Sequence, residues 1–280
     1  MTALLLLLLP ISLFAQSTPM QRELARLERK GYGVAERATG SGLRAYMLSK
    51  GGRNSLYVYR ANRRGAKLLH MEPGYGKRVR FADIHREGRL PDLLGDGSHI
   101  LAYTVIPPGH MTEKTTVMRW GKAGLSRIAQ LPFASFSDVD GDGKVEVVSS
   151  ERPLGAHFDL SCDDYLKLTH TAYRTRVFGF VGAGLRDISA QHRDYFENLI
   201  AQREEELAPQ DPRSTDDFGG YLGTAVSLYY DYHAAGRARE GWRRLHALFP
   251  VKWSDPGSVK KCFKSIKEEL RDKLEIPANW

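Results

Sequence analysis

Cysteine is nearly absent from this chain: Cys162 and Cys262 are the two in 280 residues. No pair of cysteines or histidines has the spacing of a zinc site, and no strand-to-helix serine elbow is present. A glycine-rich phosphate loop and a dinucleotide fingerprint are missing too, which removes the common nucleotide and nicotinamide enzymes. Beyond the first 17 residues no run is long and apolar enough to cross a membrane, since a helical span takes about 20 residues. The chain carries a net charge of +8, yet no nucleic-acid-binding motif accompanies it. Nucleic acid and membrane spans are therefore not expected.

Charged side chains are also missing from residues 1–17, where Leu4 to Leu9 is an unbroken leucine run. This stretch is too short for a span and has the length of a signal-peptide core. Ala15 and Ser17 supply small residues at a cleavage spacing. Residues 1–17 are expected to be a signal peptide, and the mature protein to be secreted or periplasmic. Export makes a disulfide between Cys162 and Cys262 chemically accessible, worth up to about 4.7 kcal/mol for so long a loop. Two buried thiols are the other reading.

The remaining composition is that of an ordinary globular protein, 42% hydrophobic and 26% charged. Basic residues gather in Arg60 to Lys67, Lys77 to Arg80, Arg237 to Arg244 and Lys252 to Lys273. Interspersed acids mark the C-terminal runs as solvated helix faces, while anionic glycans remain a possible partner for a basic exported surface.

Thr18, Pro19 and Gln21 have the spacing of a capping box with proline at the first helical position, and Gly31 offers a stop. From about residue 42 to 188 the apolar period becomes that of strands. Predicted strands cover Leu43–Leu48, Ser55–Arg60, Ala66–Met71, Val79–Ala82, His99–Val105, Thr115–Trp120, Leu125–Leu131 and Val145–Val148, with Gly, Asn and Pro between them. A weak internal repeat is visible as strand, glycine turn, strand, acidic loop, strand. One unit runs from Leu56 through Phe81 and Asp83 to a short strand at Pro91–Leu94. A second runs from Thr116 through Phe136 and Asp138 to Val148. A third begins at Arg176 and gives way to helix. Helices are predicted over His192–Leu207, Tyr221–Ala235, Arg237–Leu248 and Ser258–Leu274.

The chemistry is concentrated in Asp138-Val139-Asp140-Gly141-Asp142-Gly143. Carboxylates at alternate positions can wrap a hard cation that takes six to eight oxygens, and the glycines permit the tight backbone path. The carbonyl of Lys144 and the side chain of Glu146 can add ligands. An EF-hand is excluded, because Ser149 stands where that loop needs a bidentate Glu, and a strand follows in place of a helix. The segment from Phe136 to Val148 resembles the calcium loop of FG-GAP or VCBS-type repeats, the blades of integrin-like β-propellers. The resemblance implies Ca2+ held by Asp138, Asp140, Asp142 and Glu146, where the family more often has Asp at the last position. Phe81 to Leu94 resembles a decayed copy, in which His85 and Arg86 replace expected acidic and glycine residues.

Other clusters have plainer readings. His157 and Asp159 could serve as base and orienter in a hydrolase, but with Cys162, Asp163, Asp164 and His170 they read as a polar inter-strand loop. Asp216 and Asp217 precede a helix and read as caps. Tyr229, Tyr230 and Tyr232 could line a glycan surface, but at helical spacing they read as inter-helix packing.

The expected fold is mainly β with a helical C-terminal region: antiparallel, propeller-like blades, too few to close a propeller alone. Residues 18–188 form the β-repeat domain with a short N-terminal helix, and 189–280 the helical region. Helices covering the sheet edges, or association into an oligomer, would protect the open blades. The expected role is a calcium-binding module for a protein or glycan partner, with no catalytic residue assigned. The alternative is a calcium-dependent hydrolase or lyase acting on an extracellular polysaccharide.

Overall fold

A computed structural model describes residues 18–85, 87–109, 112–154, 171–210, 218–248 and 257–280. Residues 1–17, expected to be a signal peptide, the stretch from His157 to His170 and the pair Asp216-Asp217 lie outside the described residues, as do the side chains of Cys162 and Cys262.

Helix α1 (Pro19–Glu28) starts on the expected capping box. Thr18 Oγ1 accepts the Gln21 amide at 3.2 Å, and Gln21 Oε1 accepts the Thr18 amide at 2.6 Å. Among the described residues, twelve strands follow in three antiparallel four-stranded sheets. The first contains β1 (Gly33–Gly40), β2 (Leu43–Lys50), β3 (Arg53–Ala61) and β4 (Ala66–Glu72). The second contains β5 (Arg78–Phe81), β6 (His99–Ile106), β7 (Lys114–Gly121) and β8 (Gly124–Pro132). The third contains β9 (Ala134–Ser137), β10 (Glu146–Glu151), β11 (Arg174–Val181) and β12 (Gly184–Asp187). Each sheet is a plain meander in chain order. Then come α2 (Arg193–Leu207), α3 (Phe218–Ala234), α4 (Ala238–Leu248) and α5 (Gly257–Leu274).

Strand alternation decides how these units stack. In the first sheet Leu43, Ala45, Met47, Leu56 and Val58 point one way and meet Val79, Leu101 and Met118 of the second. The opposite face, with Tyr46, Leu48, Tyr57 and Tyr59, receives Met20 and Leu27 of α1. The second sheet turns Ile100, Ala102 and Val117 toward Phe136, Phe180 and Leu185 of the third. Val148 and Val177, paired across β10 and β11, face the helices and join Phe196, Val226, Tyr229 and Trp242 in the largest core. The result is five layers with a core at each of four junctions. Every sheet is covered on both faces, which is why several strands read as nearly continuous apolar runs.

Four expectations need correction. Gly33–Gly40 is a strand that the periodicity missed, since Ala38 is its one fully buried residue. Pro91–Leu94 is loop: Asp92 accepts the Gly97 amide at 2.8 Å, and the Pro91 carbonyl accepts Ile100 N–H. The repeat is offset from the sheets by two strands: the loops at Asp83 and Asp138 join the first and second strands of the second and third sheets, and the third unit, which gives way to helix as expected, supplies the last two strands of the third sheet. The C-terminal helices cover a face of the last sheet, because that face carries the apolar side chains. Tyr229, Tyr230 and Tyr232 are buried among the helices as the spacing predicts. Arg237 and Arg244 of the basic C-terminal run form ion pairs with Glu197 and Glu204 of α2. Among the described residues no helix is long and apolar enough to cross a membrane.

Candidate metal centre

The acidic loop bridges β9 and β10, and its own carboxylates shape it. Asp138 accepts two amides, Gly141 N–H at 2.7 Å on Oδ1 and Gly143 N–H at 2.9 Å on Oδ2. Asp140 Oδ1 accepts the Asp142 amide at 3.2 Å, and Asp142 Oδ1 accepts the Lys144 amide at 2.8 Å. Gly141 and Gly143 adopt φ of +78° and +82°, a region that β-carbons disfavour. Glu146, at the first position of β10, is buried and accepts the Val139 amide on Oε2 at 3.0 Å.

Three of the four expected carboxylates converge. Oxygens of Asp138, Asp140 and Glu146 lie within 4.8 Å of one another. Asp142 turns instead to Lys144, whose Nζ donates to Oδ2 at 2.5 Å, and this hydrogen bond holds the Asp142 carboxyl below its usual range. The Lys144 side chain is otherwise exposed. Glu146 is thus drawn into the group, and Asp142 stands outside it.

The donor set suits a hard divalent cation. Each carboxylate keeps lone pairs beyond the amides it accepts. Without a cation, each charged pair at such a separation repels by about 1 kcal/mol in water and up to about 4 kcal/mol at an effective dielectric of 20. Burial of Glu146 adds a desolvation cost. An ion bound by the three carboxylates would relieve both.

One residue was not legible as part of this site. His192, the residue before α2, is buried with its side chain 5% exposed, and its Nδ1 lies 3.5 Å from Asp140 Oδ2. The sequence marks it as the start of a helix and nothing more. It also lines, with Val139, Asp140, Arg193, Tyr195 and Asn198, a cavity of about 320 Å³ beside the loop.

No family model, curated protein or solved structure matches this chain.

The loop that reads as a decayed copy of this one has a different anchor. Asp83–His85 is a short 3-10 turn, and His85 is buried behind it. Its Nδ1 donates to the Arg89 carbonyl at 3.1 Å, while Nε2 accepts the Ala102 amide at 2.8 Å. A histidine there fastens the loop to β6 through Ala102 and closes the loop on itself through Arg89. Among the described residues the three carboxylates of the β9–β10 loop are the one group of metal-ligating side chains found so close together.

Proposed function

We propose that this chain is an exported, calcium-binding β-repeat protein that serves as a binding or structural module for a protein or glycan partner. The observation that carries this reading is the convergence of Asp138, Asp140 and Glu146 in a turn between two strands. Calcium tolerates the irregular oxygen shell such a turn offers. Three meanders stacked face to face are the arrangement of neighbouring propeller blades, which supports a relation to FG-GAP or VCBS-type repeats. In place of further blades, α1 ends the stack on one side and the C-terminal helices on the other.

Because the ion binds the folded loop, it stabilises the fold by mass action. The test is thermal unfolding in calcium, in chelator and in an Asp140→Ala variant. Calcium should raise the melting temperature of the parent, chelator should reverse the shift, and the variant should respond to neither. Identical curves in calcium and chelator for the parent would end the proposal.

The cavity beside Asp140, His192 and Tyr195 favours a second reading, a metal-dependent hydrolase or lyase acting on a polysaccharide. Chelator-sensitive cleavage of anionic polysaccharides, lost in Asp140→Ala, would establish it. No cleavage at high enzyme concentration would remove it.

A further inference from the structure

We propose that His192 is a nitrogen ligand of the ion held by Asp138, Asp140 and Glu146, so that the site accepts first-row divalent ions such as Mn2+ and binds them more tightly than Ca2+. The inference rests on the metal-site reading above and adds to it the identity of one ligand and the class of ion it favours.

Burial and position both point to this role. His192 is the N-cap of α2, yet its side chain makes no capping hydrogen bond. Asn, Asp, Ser and Thr are the usual residues there, because their oxygens accept a free amide of the first turn. His192 Nδ1 is buried and has no hydrogen-bond partner. A buried polar atom left unpaired costs about 1–3 kcal/mol. This one faces a carboxylate that already belongs to the cation group, at 3.5 Å from Asp140 Oδ2. Two donors at right angles on one ion, with bonds of about 2.1–2.4 Å, stand about 3–3.4 Å apart. The separation from Asp140 is therefore close to that of neighbouring ligands, whereas His192 does not fall within 4.8 Å of all three carboxylates, so ligation of the same ion requires the ring and the loop to close on it. The adjoining cavity leaves room for the waters that complete a shell.

Chemistry then sets the preference. Carboxylate and carbonyl oxygens suit calcium, whereas imidazole favours first-row transition ions. Adding one imidazole to three carboxylates shifts the balance toward the latter. The positive end of α2 works against any cation nearby, and the three carboxylates outweigh it. Coordination by His192 would also tie α2 directly to the β9–β10 loop, joining the helical layer to the third sheet through the ion.

The experiment uses the full chain, with Mn2+ and Ca2+ as probes. Affinities are measured by titration calorimetry for the parent and for His192→Phe, which retains a buried ring and removes the nitrogens. Pulsed electron paramagnetic resonance on the Mn2+-loaded parent reports directly whether a 14N nucleus is bonded to the metal. The expected results are a directly bonded 14N coupling, tighter binding of Mn2+ than of Ca2+ by the parent, and a loss of about tenfold or more in Mn2+ affinity in the variant. Calcium affinity should change by less than about threefold, since oxygen donors dominate it. Metal binding without a 14N coupling would overturn the role of His192 and leave the carboxylate site standing. Absence of Mn2+ and Ca2+ binding by the parent would overturn the site itself. Because the resonance measurement needs no variant, it decides the question even if His192→Phe fails to fold.

Discussion

Nε2 of His85 accepts the backbone amide of Ala102 at 2.8 Å, so the imidazole is pinned to the middle of β6. With Nδ1 donating to Arg89, both ring nitrogens are occupied and the tautomer is fixed. Protonating Nε2 would set two donors against each other in a buried site.

Burial accordingly lowers the His85 pKa from 6.5 to about 4. The folded value lies below the unfolded one, so the unfolded chain binds the proton more readily. Stability is full above about pH 6.5 and is lost as pH falls toward 4, by at most about 3 kcal/mol. Urea unfolding between pH 4.5 and 7.5 should show this slope, and His85→Phe should be less stable throughout but flatter. An equal slope in parent and variant would refute it.

The ion pair between Arg203 on α2 and Asp231 on α3 acts in the opposite sense. Asp231 is fully buried, with Oδ2 at 2.5 Å from Arg203 Nε and Oδ1 without a hydrogen-bond partner. Burial pushes its carboxyl up to about 6 against the pull of the guanidinium. The raised folded value means a contribution that is full below the unfolded value of about 3.8 and is lost as pH rises through 6. Arg203→Ala leaves the carboxylate unpaired, and at pH 7.5 it should cost about 3–5 kcal/mol. The cost should shrink at pH 5, where Asp231 takes up a proton. A pH-independent loss would show that packing of the Arg203 stem, and not its charge, matters.

Gly241 lies inside α4, where alanine is ordinarily better by about 1 kcal/mol. A β-carbon there would sit 2.5 Å from Tyr232 Cβ, because α3 and α4 approach closely at this point. Gly241→Ala should therefore destabilise by about 1–3 kcal/mol, as overpacking does. Chemical denaturation checks the sign, and a more stable variant would exclude the close approach.

Within the acidic loop the ligands should not be equivalent. Asp138→Asn and Glu146→Gln each remove a member of the converging group and should weaken metal binding about tenfold or more. Asp142 is already engaged by Lys144. Asp142→Asn should cost less than about threefold. Titration of the three variants with calcium gives the ranking, and a dominant effect of Asp142 would invert the assignment.

Much of the architecture was legible because its causes are local. Alternation in Ser55–Arg60 or Thr115–Trp120 reports a pleat with two environments, and Thr18 with Gln21 reports a helix start, whatever lies elsewhere in the chain. β1 escaped notice because edge pairing with β2, and not apolar side chains, defines it. Pro91–Leu94 misled because its apolar pair serves a loop whose course is set by Asp92 and two glycines.

The amino-acid order by itself determined most of the strand and helix content, the β-loop-β form of the acidic turn and its departure from an EF-hand. Periodicity, capping and the backbone freedom of Gly141 and Gly143 act over a few residues, so each is written into adjacent positions. Only the tertiary structure decided which carboxylates meet, that Lys144 draws Asp142 aside, and that His192 arrives from the start of α2 to stand beside Asp140. Those relations depend on how the third sheet packs against the helices, and packing brings together side chains that no sequence spacing connects.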